Sequence, residues 1–120
     1  MVEPEDTEFV FAVETFKLLA DNSRLRILWA LLHGEHSVKE LATHVGVNVP
    51  AVSQHLAKLR MTHLVKVRRE GNKAFYAAEN AHVLRLVEEA LFHSDHVVRA
   101  VPDHHDDEPS SPLQRTRRRA

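Results

Sequence analysis

The sequence contains no cysteine, which excludes disulfides, thiolate metal sites, thiol redox switching and cysteine nucleophiles together. It has three glycines and no phosphate-binding loop, no His-Glu-x-x-His and no nucleophile with a base at a meaningful spacing, so nothing in it points to an enzyme or an organic cofactor. No apolar run approaches the ~18 residues that span a bilayer. The acidic start Met1-Val2-Glu3-Pro4-Glu5-Asp6 is the opposite of a secretory leader, and the expectation is a cytoplasmic protein with no membrane partner. A length of 120 residues allows one domain with a modest core and excludes a multidomain enzyme.

What is present is unevenly distributed charge and ten histidines. The formal net charge of -1 conceals -4 over residues 1–20, +5 over 21–78, -6 over 79–108 and +4 over 109–120. A basic middle between acidic stretches suits a polyanionic partner for the middle and something cationic for the flank.

Apolar periodicity divides the chain into short helices and one hairpin. Phe9, Val10, Val13, Phe16 and Leu19 recur at three-and-four spacing behind an acidic opening turn, which predicts an amphipathic helix. Asp21 offers an N-cap to a second helix carrying Leu25, Ile27, Leu28, Leu31 and Leu32, with Gly34 as its stop. Ser37-Val38-Lys39-Glu40 matches a capping box, opening a short helix that ends at Gly46. Asn48 caps a fourth helix with Pro50 in its first turn, running to about Thr62. The period then alternates through Val65 to Arg69 and through Lys73 to Ala77 around Gly71-Asn72, which predicts a β-hairpin. From Asn80 a helical period returns with apolar residues on more than one side, as in a dimerisation helix. The expected organisation is an acidic arm over 1–8, a domain over 9–99 and a flexible tail over 100–120.

The order helix, helix, helix, turn, helix, basic hairpin is the pattern of a winged helix-turn-helix: mainly α with a small hairpin. The fourth helix must present polar side chains outward to read base edges. Ser53, Gln54, His55 and Lys58 fall on that face, with Asn48 at its start, while Val52, Leu56 and Leu59 face inward. Arg68, Arg69, Asn72 and Lys73 place cations and a turn amide beside a phosphate backbone. The alternative is a solvated helix face and a solvated hairpin.

Three stretches carry a resemblance: Leu18-Leu19-Ala20-Asp21-Asn22-Ser23-Arg24-Leu25-Arg26-Ile27-Leu28, Val38-Lys39-Glu40-Leu41-Ala42, and Val52-Ser53-Gln54-His55-Leu56-Ala57-Lys58-Leu59-Arg60. In that order and at that spacing the chain resembles the ArsR/SmtB metal-sensing repressors over roughly residues 10–98. The resemblance implies a homodimeric winged-helix protein, joined through its N- and C-terminal helices, that binds double-stranded operator DNA and, in most members, releases it when an inducer binds. The family's thiolate site would fall between His36 and Leu41, where this chain has no cysteine.

The histidines supply a candidate inducer site on their own geometry. His93 and His96 are three apart on a helix and can share an ion. His82 lies on nearly the same face but ~16 Å away along the axis. An antiparallel partner helix would bring the three together in two equivalent sites; the alternative is a solvated polar stripe. Family members with a site between paired final helices place Asp and His two apart at the helix start, and His with His or Glu three apart near its end. His82, His93 and His96 match three of these positions, whereas the first is Asn80, a weak neutral donor. The nickel- and cobalt-sensing subgroup resembles this chain at Glu79-Asn80-Ala81-His82, at Asp95-His96 and at Pro102-Asp103-His104-His105. That resemblance implies His82, Asp95, His96, His104 and His105 as ligands, with His93 additional and Asp95 the weakest. The vicinal tail histidines are otherwise solvated.

Without sulfur, copper(I), cadmium and arsenic(III) lose their preferred donors. Four nitrogen and oxygen donors suit zinc, and five or six suit nickel or cobalt, so nickel or cobalt is expected ahead of zinc. His33, His36, His44 and His63 show no chelating pattern. The closing Arg115, Arg117, Arg118 and Arg119 either add nonspecific DNA affinity or are solvated. Two rivals remain: a winged-helix regulator indifferent to or activated by metal, and a His-rich metal buffer.

Overall fold

The computed structural model describes residues 2–100. Along the chain run α1 (Asp6–Leu19), α2 (Asn22–Leu31), α3 (Val38–Val45), α4 (Val49–Met61), β1 (Val65–Glu70), β2 (Lys73–Ala78) and α5 (Ala81–Ala100). The elements and their order are those the sequence predicts, and the fold is a winged helix-turn-helix. The described residues fall into two units divided after Glu88. That division falls inside the stretch 9–99 that the sequence treats as one domain. His104, His105 and the rest of the expected tail beyond Ala100 lie outside the described residues.

The first unit holds the core. Ile27, Leu28, Leu31, Leu41, Val52, Leu56, Leu59, Leu64, Val65, Val83 and Val87 are buried, contributed by α2, α3, α4, the start of β1 and α5. The starts of α2, α3, α4 and α5 each have a side chain that accepts from a first-turn amide. Asp21 accepts from the Arg24 amide at 2.9 Å. Ser37 Oγ accepts from the Glu40 amide at 3.2 Å while Glu40 Oε1 accepts from the Ser37 amide at 2.8 Å. That amide, with the Ser37 hydroxyl, holds the Glu40 carboxyl below its ordinary value. At the other end of α3, Gly46 takes φ +77 and its amide bonds Ala42 O at 2.9 Å. This left-handed cap lets α3 and α4 meet in a tight turn.

Two boundaries differ from the expectation. α1 begins at Asp6 because Glu8 Oε1 accepts from the Glu5 amide at 3.1 Å, so the acidic arm is partly helix. α2 ends at Leu31 with Leu32 as its cap, ahead of Gly34. The apolar stripe of α1 is where the sequence expects a dimer contact. Its apolar residues are not core: only Leu19 is buried, and Phe9, Val10, Phe11, Val13 and Phe16 are exposed.

The hairpin pairs β1 with β2 antiparallel, Val65 opposite Ala78 through Glu70 opposite Lys73. Gly71 has φ +61 at the first central position of its two-residue loop, where a hairpin turn requires a positive φ. His36 adds an isolated bridge to Tyr76 on the outer edge of β2.

In the second unit, the described residues 89–100 complete α5, and Phe92 and Val97 are exposed. Among the described residues no helix is long and apolar enough to cross a membrane.

Candidate nucleic-acid interface and metal ligands

α4 is the second helix of the helix-turn-helix, and its burial pattern decides which side chains it offers. Val52, Leu56 and Leu59 are buried, as their spacing predicts, leaving Ser53, Gln54 and Lys58 exposed. Asn48 is occupied by capping, its Oδ1 accepting from the Ala51 amide at 2.9 Å. His55 is only partly exposed: its Nδ1 lies 3.4 Å from Arg24 Nη1. A guanidinium has donors only, so His55 accepts at Nδ1. Arg24 is itself fixed on α2 by donating from Nε to Leu18 O at 2.6 Å.

The hairpin cations fall into two groups. Arg69 and Lys73 are exposed, as is Asn72, and neither cation forms an ion pair among the described residues. Arg68 is engaged at all three guanidinium nitrogens. Its Nε and Nη2 donate to the two oxygens of Glu35, Nη1 donates to Glu70, and the guanidinium lies 4.9 Å over the Phe75 ring. These hydrogen bonds hold the Glu35 carboxyl below its ordinary range and raise Arg68. Nothing local in the sequence links Arg68 to Glu35, which is 33 residues away.

α5 carries the expected ligands that are described: His82, His93, Asp95 and His96, all exposed. His93 and His96 stand three apart on the helix. Asp95 is held by Arg99, whose Nε donates to both carboxylate oxygens at 2.8 and 3.0 Å. Asn80 Oδ1 accepts from the His82 and Val83 amides at 2.9 and 3.1 Å, so it caps α5. Among the described residues of one chain, no three His, Asp or Glu side chains are grouped to hold a metal ion. The donors on α5 therefore fit an ion only with ligands from elsewhere.

Two histidine placements escape sequence reasoning. His63, at φ +60, lines with His82 a recess of about 490 Å³ between the α4–β1 turn and the start of α5. His36 and His44 stack with ring centroids 6.1 Å apart beside Glu40. His36 lies before the N-cap of α3, where helical spacing says nothing about its neighbours.

Comparison with known proteins agrees with this geometry. Residues 21–67 match the family described as "Bacterial regulatory protein, arsR family". The HTH-type transcriptional regulator KmtR of Mycobacterium tuberculosis is 49% identical over 100 residues, covering 83% of this chain and 77% of that protein. A cadmium resistance transcriptional regulatory protein CadC homolog from Staphylococcus aureus is 34% identical over 85 residues, 70% of each chain. Among solved structures, the homodimeric winged helix-turn-helix DNA-binding domain of a possible ArsR-family regulator from Mycobacterium bovis aligns with TM-score 0.75 at 30% identity. It covers 88% of this chain and 100% of that one. With the family model matched over residues 21–67, a relative 49% identical over 83% of the chain and a winged helix-turn-helix neighbour at TM-score 0.75, this chain belongs to the arsR family of bacterial regulatory proteins, which are transcriptional regulators and not enzymes.

Proposed function

We propose that this protein is a metal-responsive transcriptional repressor. It acts as a homodimer that places α4 in the major groove of operator DNA and leaves the operator when a divalent ion is held between the C-terminal helices. The observation that carries this reading is the surface of α5. Phe92 is 75% and Val97 40% exposed, interleaved with the exposed donors His93 and His96. A bare apolar helix surface suits cover by a second copy. Antiparallel cover sets the His82 of one copy beside His93 and His96 of the other. The homodimeric Mycobacterium bovis domain and the relative named for cadmium resistance support the two halves of the reading.

With no cysteine, the ion here differs from a thiophilic one. Asn80 is committed to capping and Asp95 to Arg99, which leaves imidazoles as the principal donors on α5. If His104 and His105 join them, the donor count exceeds four and favours nickel or cobalt. Without the tail pair, the same helix donors favour tetrahedral zinc, which is the second reading. Ligation across the dimer would fix the angle between the two α4 helices away from the ~34–36 Å repeat of successive major grooves. A coupling of ~1–3 kcal/mol is typical of such linkage, or about 5- to 150-fold in operator affinity.

Cobalt(II) titration followed by visible absorption, paired with operator binding with and without nickel, cobalt and zinc, tests this. Saturation at one ion per chain and a fall in operator affinity are expected, both lost in His82→Ala and His96→Ala. Weak ligand-field bands indicate five or six donors, and intense bands indicate four. Equal operator affinities would end the metal-responsive reading, and several ions per chain with no operator binding would indicate a buffer.

A further inference from the structure

We propose that Arg68 is the positioning residue of the wing, held by Glu35 and Glu70 and not by DNA, and that Arg69 and Lys73 are the wing's phosphate contacts. The second half rests on the DNA-binding reading above; the first does not.

All three guanidinium nitrogens of Arg68 are engaged. Nη2 and Nε fork the Glu35 carboxylate at 2.9 and 3.0 Å, and Nη1 reaches Glu70 Oε2 at 2.6 Å. Phe75, over which the guanidinium lies, is also Arg68's partner across the ladder. Glu35 directly precedes His36, which exchanges two backbone hydrogen bonds with Tyr76, at 3.1 and 2.8 Å. Residues 35 and 36 thus run along the outer edge of β2, and Arg68 reaches them from β1 by crossing Phe75. One side chain therefore ties both strands of the hairpin to the loop between α2 and α3.

Exposed ion pairs are individually weak, but this one has fork geometry, a second carboxylate and an aromatic face, which together fix an orientation. The same engagement argues against a phosphate partner for Arg68. With Glu35 and Glu70 already accepting from all three of its nitrogens, Arg68 would have to give up part of that fork to reach a phosphate. Arg69 projects from the opposite face of β1, Lys73 stands on the Arg68 face opposite Glu70 at the turn, and both are exposed without an ion pair among the described residues.

Two measurements test this on the full-length protein. In amide hydrogen exchange, Arg68→Ala and Glu35→Ala should each speed exchange at the His36 and Tyr76 amides several-fold, and Arg69→Ala should not. Arg68→Lys keeps the charge but loses the fork, so it should loosen the same amides. In DNA binding, Arg69→Ala should lower the slope of log affinity against log salt by ~0.9, while Arg68→Ala lowers affinity at every salt concentration with the slope unchanged. A slope lowered by ~0.9 in Arg68→Ala, or unchanged exchange at both amides, overturns the proposal. Absence of DNA binding by the unmutated protein would instead overturn the repressor reading, and the exchange experiment would still decide the clamp.

Discussion

Asn80 shows how one residue can satisfy two opposed readings of a sequence. By position it replaces an acidic ligand, and by chemistry it is a good N-cap. The structure commits its Oδ1 to the His82 and Val83 amides, at 2.9 and 3.1 Å. The cap orients the first turn of α5 and with it His82, which gives Asn80 an effect on the site without ligation. Removing a capping side chain costs about 0.5–2 kcal/mol. Asn80→Ala should therefore lower stability by that amount in urea denaturation with a chelator present, whereas Asn80→Asp, which can still cap, should change it little. An Asn80→Ala protein as stable as the unmutated one would remove the capping role. A loss of cobalt affinity in Asn80→Ala with no loss in chelator-treated stability would restore the ligand role.

At the scale of elements, α4 shows the division of labour within one helix. Its buried residues Val52, Leu56 and Leu59 lock it to the core, so the exposed Gln54 and Lys58 are free to differ in role. Gln54 can present both a donor and an acceptor to a base edge, whereas Lys58 is a point charge. Gln54→Ala should cost ~1–3 kcal/mol on the operator and little on a scrambled duplex. Lys58→Ala should weaken both duplexes alike. Competition binding separates them, and equal losses for Gln54→Ala on both duplexes would remove it from base readout. Features set by neighbours in sequence were legible in advance: the caps Asp21, Ser37 and Asn48, the Gly46 turn, the hairpin and the inward face of α4. Those set by contacts between distant segments were not. The fork from Arg68 to Glu35, the stacking of His36 on His44 and the tie from Arg24 to His55 join residues that no helical or strand period relates. The histidines of α5 could be placed on their helix from sequence, whereas the convergence proposed for them needs a second chain that no periodicity describes.

Across the described residues, the largest bare apolar surface is on α1. Phe9, Val10, Phe11, Val13 and Phe16 are all more than half exposed on α1, and a groove of about 480 Å³ lined by Phe11, Ala12, Phe16 and Leu86 lies open beside them. Patches of this kind mark association surfaces. A second copy is the occupant that also serves the proposed function, because an operator read by two α4 helices needs both copies joined. Because Phe16 is 59% exposed, Phe16→Glu should leave the fold of the single chain intact, with unchanged far-ultraviolet circular dichroism. It should sediment as a monomer and lose operator affinity by ~10²-fold or more, since two linked half-sites gain avidity of that order. Phe92→Glu probes α5 in the same way and should in addition weaken metal binding, because the partner's donors leave with the partner. A Phe16→Glu protein that stays dimeric with undiminished operator affinity would place the dimer contact away from α1 and leave its bare phenylalanines to another partner.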